Sequence, residues 1–279
     1  MKLDMGKAWS DAMELLSANF GMIATIVGLF YFLPQFALAL LLPGTTDPAG
    51  GDIPADASPD AAMEAMMAAM QQQYAQNWPF LLLIVLLGYV GAIAVLALLS
   101  DRGNPTVGEA LKAGIMGTPS YFATQVLFVL AMSLVIGVPL GLVAAFTPTV
   151  VAVLVGFALF TFAIYAAFKL LMAPAIIAIE GVLNPVTAMV RSWKMTRGST
   201  LRLFVFLVLL FLTIAIISLI ITLVAGLVFS AMGDTVARIG TALVSSITNA
   251  AVGGLYLTVL AAIHRQLSGD SGRLARTFE

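Results

Sequence analysis

Cysteine is absent from the 279 residues and histidine occurs once. The first absence excludes disulfides, thiol chemistry and cysteine-held metals. The second leaves no His-Glu-x-x-His cluster and no imidazole set for zinc. Charge is scarce as well, at 10% of the chain against about 25% in soluble domains. Neither a Gly-rich phosphate loop nor the ordered acidic spacing of a calcium loop occurs. With no catalytic constellation, the chain is expected not to be an enzyme, and no cofactor or metal site is expected. Nucleic acid is not an expected partner either.

Apolar residues fill the space, at 61% of the chain. A soluble protein of this size cannot hide so much hydrocarbon, and the distribution points to lipid as the solvent. Residues 20–42, 79–100, 121–146, 150–168, 203–232 and 239–263 carry no charge, and a single cation, Lys169, borders the fourth run. Each reaches the roughly 17–25 residues that cross a bilayer as a helix. Backbone groups in lipid must bond within their own segment, so helices are expected rather than open strands. The first run is too long, and too far from the N-terminus, to read as a secretory signal. The expected fold is an all-α integral membrane protein with six transmembrane helices, a single domain over residues 1–279.

Polar interludes suggest a repeat. Asn104-Pro105 and Asn184-Pro185 each open a mixed segment leading into a span, and residues 4–22 have the same shape without Asn-Pro. Asparagine suits an N-cap and proline the first helical position, while Gly117 and Gly198 suit a helix stop. In the third segment Val186, Met189, Val190 and Trp193 fall on one apolar face, flanked by Arg191 and Lys194. Such a helix suits the membrane interface. The expectation is a threefold unit of one interfacial helix plus two spans, over about 1–100, 101–180 and 181–279, with an outer loop at 43–77.

The cations orient the chain. Twelve of the 13 Lys and Arg lie on one side of the spans, leaving Arg238 on the other. The loop at 43–77 carries Asp47, Asp52, Asp56, Asp60 and Glu64 without a cation. The positive-inside rule then puts both termini and all three interfacial helices in the cytoplasm of a bacterial inner membrane.

The segment KLLMAPAIIAIEGVLNPVTAMVRSWKMTRGS, from Lys169, resembles the membrane domain named for bacterial glycerophosphoryl diester phosphodiesterases. The phrase is carried by Ala173, Pro174, Glu180, Ala188, Arg191, Ser192, Trp193, Thr196 and Gly198. The resemblance implies a six-span membrane module. Catalysis in members bearing the activity resides in a separate soluble barrel, for which this chain, ending at Glu279, has no room; phosphodiesterase activity is therefore not expected.

Each candidate residue carries two readings. Arg191, Trp193, Lys194 and Arg197 are expected to meet anionic lipid headgroups at the interface, with a protein partner or phosphorylated substrate as the alternative. Lys169 is expected to snorkel to the same interface, with a lipid-phosphate or substrate contact as its alternative. His264 either reaches headgroups or relays protons, and has no acidic neighbour in sequence. Met63, Met66, Met67, Met70 and Tyr74 form a helical stripe after a Ser58 cap, suited to packing on the bundle mouth or a partner more than to Cu(I). Ala242, Ser246, Ala250 and Gly254 repeat a small residue at every fourth position, which suits close helix packing. Thr241, Ser245, Thr248 and Asn249 form a polar edge beside them, either for interhelical bonding or for a translocation path. The expected role is a non-catalytic scaffold or accessory module in envelope or lipid homeostasis, with a transporter of a lipid or small solute as the rival.

Overall fold

The computed structural model describes residues 3–41, 58–100 and 105–277. Lys2, Asp47, Asp52, Asp56, Arg102 and Asn104 lie outside the described residues. All regular structure among the described residues is helical, and six helical stretches are long and apolar enough to cross a membrane. The chain is an all-α membrane protein.

The first span is not one continuous α-helix. It runs as α2 (Phe20–Val27), a π-turn (Gly28–Phe32) and α3 (Leu33–Leu41). Span three has the same plan: α5 (Val107–Met132), a π-turn (Ser133–Gly137) and α6 (Val138–Phe146). Each π-turn ends two residues before a proline, Pro34 and Pro139. Proline has no N–H to donate and crowds the carbonyl four residues back, and a widened turn relieves both. This shared device relates the first two units of the expected repeat; α10 (Thr200–Ser230), the matching span of the third, has none.

The helices expected at the interface divide differently. α1 (Met5–Ala18) is separate, capped by Asp4, whose carboxylate accepts from Lys7 N at 3.0 Å. α9 (Pro185–Met195) is separate too, with the Asn184 cap accepting from Thr187 N at 3.1 Å. The second unit departs from expectation. Its N-cap is Thr106 in a capping box with Glu109, and α5 then runs unbroken through Gly117. Gly117 is no helix stop: it is buried, and an added Cβ would lie 2.8 Å from Ile93. Ala110, Gly114 and Gly117 bring α5 close to α4 (Pro59–Leu98). Smallness, not amphipathicity, marks the packed face here.

α4 is 40 residues long, about 60 Å at helical rise and twice a hydrocarbon core. Ser58 caps it as expected, accepting from Ala61 N at 3.3 Å. The methionine segment therefore continues span two rather than lying across the bundle mouth, and Met63, Met66, Met67 and Tyr74 are exposed. α7 (Thr149–Leu170), α8 (Ala173–Glu180) and α11 (Asp234–Thr277) complete the chain.

Burial concentrates where the cations gather. Residues 92–98 of α4 and the following Leu99, most of α8, Leu203 and Leu207 of α10 and residues 257–264 of α11 form the core with α1 and α2. The opposite halves of α6, α7 and α10 expose large apolar side chains, Phe146 at 83% among them. Lipid makes that exposure cheap, because the solvent is as apolar as the side chain.

The α4–α5 contact gives a first prediction. A Cβ at Gly114 would stand 2.7 Å from the Val90 carbonyl oxygen, a backbone atom, whereas at Gly108 it would meet nothing within 4 Å. Gly114→Ala should therefore destabilise the detergent-solubilised protein by about 1–3 kcal/mol. Gly108→Ala should be neutral or mildly stabilising. Thermal unfolding of the two variants checks this; equal midpoints contradict the close contact.

Candidate functional site

The densest chemistry lies at the joint of α7, α8 and α9. α8 ends at Gly181 and α9 is followed by Gly198, with φ of 74° and 87°, a left-handed backbone that glycine adopts without a Cβ penalty. α9 turns its small face inward: Ala188, Ser192 and Thr196 are fully buried. The Ser192 hydroxyl donates to the Lys169 carbonyl at 2.8 Å, and Thr196 Oγ1 reaches the same oxygen at 3.5 Å. That carbonyl lies in the last turn of α7, where intrahelical partners run out. A side chain 23 residues downstream thus satisfies it.

The apolar face expected on α9 points outward. Val186, Val190 and Trp193 are exposed and Met189 is half-buried, so the stripe faces away from the bundle. Trp193, 40% exposed, covers Lys169 with its ring. The Lys169 ammonium sits 5.4 Å from the Tyr165 ring centre and 5.7 Å from that of Trp193, and the two rings meet edge to face at 5.9 Å. Lys169 is only 3% exposed, a clamped cation rather than a freely snorkelling one. It lines a cleft of about 580 Å³ with Arg197, Thr200 and the apolar side chains of Phe168, Leu201 and Phe204. Arg197 and Lys194 are exposed.

Arg191 goes elsewhere. Its Nε pairs with Glu180 Oε2, and Glu180 Oε1 meets His264 Nε2 at 3.1 Å. Arg265 Nη2 donates to the Leu99 carbonyl at 3.0 Å. His264, 3% exposed, is therefore not at the headgroups, and its acidic partner comes from 84 residues upstream. Sequence proximity is a poor guide to a pair made between two helices. These residues border a cavity of about 380 Å³ and link α4, α8, α9 and α11. Arg202 Nη1 donates to the Leu3 carbonyl at 3.4 Å, tying in the N-terminal end.

A third feature went unread in the sequence. Between the spans lies a cavity of about 590 Å³ lined by Tyr31, Tyr89, Tyr121, Tyr256, Gln35 and Gln125, among apolar residues. Tyr31, inside the first π-turn, donates its hydroxyl to the Gly88 carbonyl at 3.2 Å. Gln125 Nε2 donates to the Tyr121 hydroxyl at 3.4 Å, and Tyr89 and Tyr121 stack edge to face at 4.6 Å. The available signal was four of the chain's six tyrosines, with two glutamines, set within runs that carry no charge.

The small stripe of α11 packs. Ser246, Ala250 and Gly254 are buried and Ala242 is half-buried; Gly254 faces Ile23 and Val27 of α2. Ser246 of this stripe, and Thr241 of the polar edge beside it, donate to carbonyls of their own helix, at 2.7 and 2.6 Å. Among the described residues, no three His, Asp or Glu side chains are grouped to hold a metal.

The six spans and this joint define the class: a multi-pass helical membrane protein. Comparison with known protein families, curated proteins and solved structures finds no match for the chain.

The joint is testable by itself. Ser192→Ala removes the direct donor to the Lys169 carbonyl, while Thr196 retains a longer contact. The expected loss is about 1 kcal/mol in thermal unfolding, with Thr187→Ala, on the exposed face, near zero. Equal losses at the two positions contradict the capping role.

Proposed function

We propose that this membrane protein is a non-catalytic module of the bacterial inner membrane, its basic end and both termini in the cytoplasm, serving as a scaffold or accessory unit in envelope or lipid homeostasis. One observation carries the reading. Glu180, Arg191 and His264 join α8, α9 and α11, while Arg202 of α10 and Arg265 of α11 hold the backbone carbonyls of Leu3 and Leu99, just before α1 and just after α4, rather than converging on a nucleophile. Charge spent this way makes a stiff platform. The skew of cations supports the orientation, and the likeness of residues 169–199 to the phosphodiesterase membrane domain supports the same class.

The tyrosine-lined cavity favours a second reading, a transporter of a lipid or small amphiphile. Cavities beside broken spans are where transporters bind cargo, and Tyr31 stands in such a break.

Two measurements separate the readings. A photo-crosslinking residue at Val190, exposed on α9, should give a discrete protein adduct in cells. Proteoliposomes of the pure protein should scramble fluorescent lipid no faster than empty vesicles and should not hydrolyse glycerophosphodiesters. Scrambling that is blocked by Gly88→Phe, whose side chain would enter the cavity, establishes the transporter instead.

A further inference from the structure

We propose that the cleft between α7 and α10 is a specific site for one anionic phospholipid, its phosphate held by Lys169 and Arg197 and its upper acyl segment by Phe168, Leu201 and Phe204. This deepens the proposed function by naming the ligand of a site on the platform, and it rests on the basic end facing an anionic leaflet.

Lys169 carries the argument. A nearly buried ammonium is costly unless it is paired. Among the described residues no carboxylate or other hydrogen-bond acceptor meets it, and only the faces of Tyr165 and Trp193 lie over it. Those rings attract the charge but accept none of its three N–H bonds in the ordinary sense. An anion is the missing complement.

The surroundings say which anion. Arg197 lines the same cleft and adds a second positive charge, and no acidic residue lines it. α10 begins at Thr200 with Ser199 at its N-cap, and no side chain caps that end. First-turn N–H groups and the helix dipole there favour a phosphate. The remaining walls are hydrocarbon: Leu201 is strongly exposed and Phe204 lies one turn further along the span. A free phosphate has no use for those walls. A phosphodiester attached to an acyl chain uses both halves.

Exposed Lys194, in the last turn of α9 and three residues before Arg197, provides the control, since it does not line the cleft. Native mass spectrometry of the full chain in detergent, titrated with phosphatidylglycerol or phosphatidylcholine, tests the site. The expected result is one retained phosphatidylglycerol, bound at least about 10-fold more tightly than phosphatidylcholine, as two charge contacts near the surface permit. Arg197→Gln should weaken phosphatidylglycerol about 5-fold and Lys194→Gln less than 2-fold, since one charge contact is worth about 1 kcal/mol. Lys169→Met, with a thermal melt to confirm folding, should remove the preference between the lipids. Inorganic phosphate at millimolar concentration should not displace the lipid. Equal losses at Arg197 and Lys194 mean diffuse attraction to a basic helix and overturn the site while leaving the scaffold reading intact. Displacement by inorganic phosphate overturns the lipid as its ligand. Failure of the scaffold reading shows separately, as cavity-dependent lipid scrambling.

Discussion

A helix that ends near hydrocarbon leaves carbonyls that water cannot reach, and the protein must satisfy them itself. At the end of α7 the Ser192 hydroxyl does this for the Lys169 carbonyl. The bond fixes α9 against α7, and several consequences follow from that placement. Trp193 comes to lie over the Lys169 side chain, Arg191 meets Glu180, and Glu180 in turn reaches His264 on α11. Residues that read in sequence as a basic amphipathic segment are, in three dimensions, part of the fastening between spans four and six.

That fastening accounts for the phrase that gave the resemblance. Ala173 and Pro174 are buried at the start of α8, Ala188 and Ser192 pack inward, and Gly198 takes a left-handed backbone. Each position has a packing or bonding reason independent of catalysis. A motif of this kind reports a folded joint.

The six spans and the two separate short helices α1 and α9 were legible because hydropathy and capping act over adjacent residues. Asn184, Ser58 and the runs flanking them are local signals of this sort. The rest depends on contacts between distant segments. Gly117 looks the same in sequence whether it ends a helix or admits Ile93, and only α4 decides between them. The direction of the α9 stripe was equally undecided, since Val186 and Val190 suit lipid as well as protein. Small, weakly polar Ala188, Ser192 and Thr196 mark the face that packs. The tyrosine cavity needed four spans to converge before its residues had anything in common.

What the platform can bind depends on which side of the membrane it occupies. The cysteine-free chain allows single reporters without background. Met67→Cys, on the exposed outer stretch of α4, and Lys194→Cys, exposed on α9, should be labelled oppositely by a membrane-impermeant maleimide. The account predicts labelling of Met67→Cys in spheroplasts with an intact inner membrane, and of Lys194→Cys only after that membrane is permeabilised. Labelling of Lys194→Cys in the intact spheroplasts, with Met67→Cys protected, would invert the protein and contradict the account.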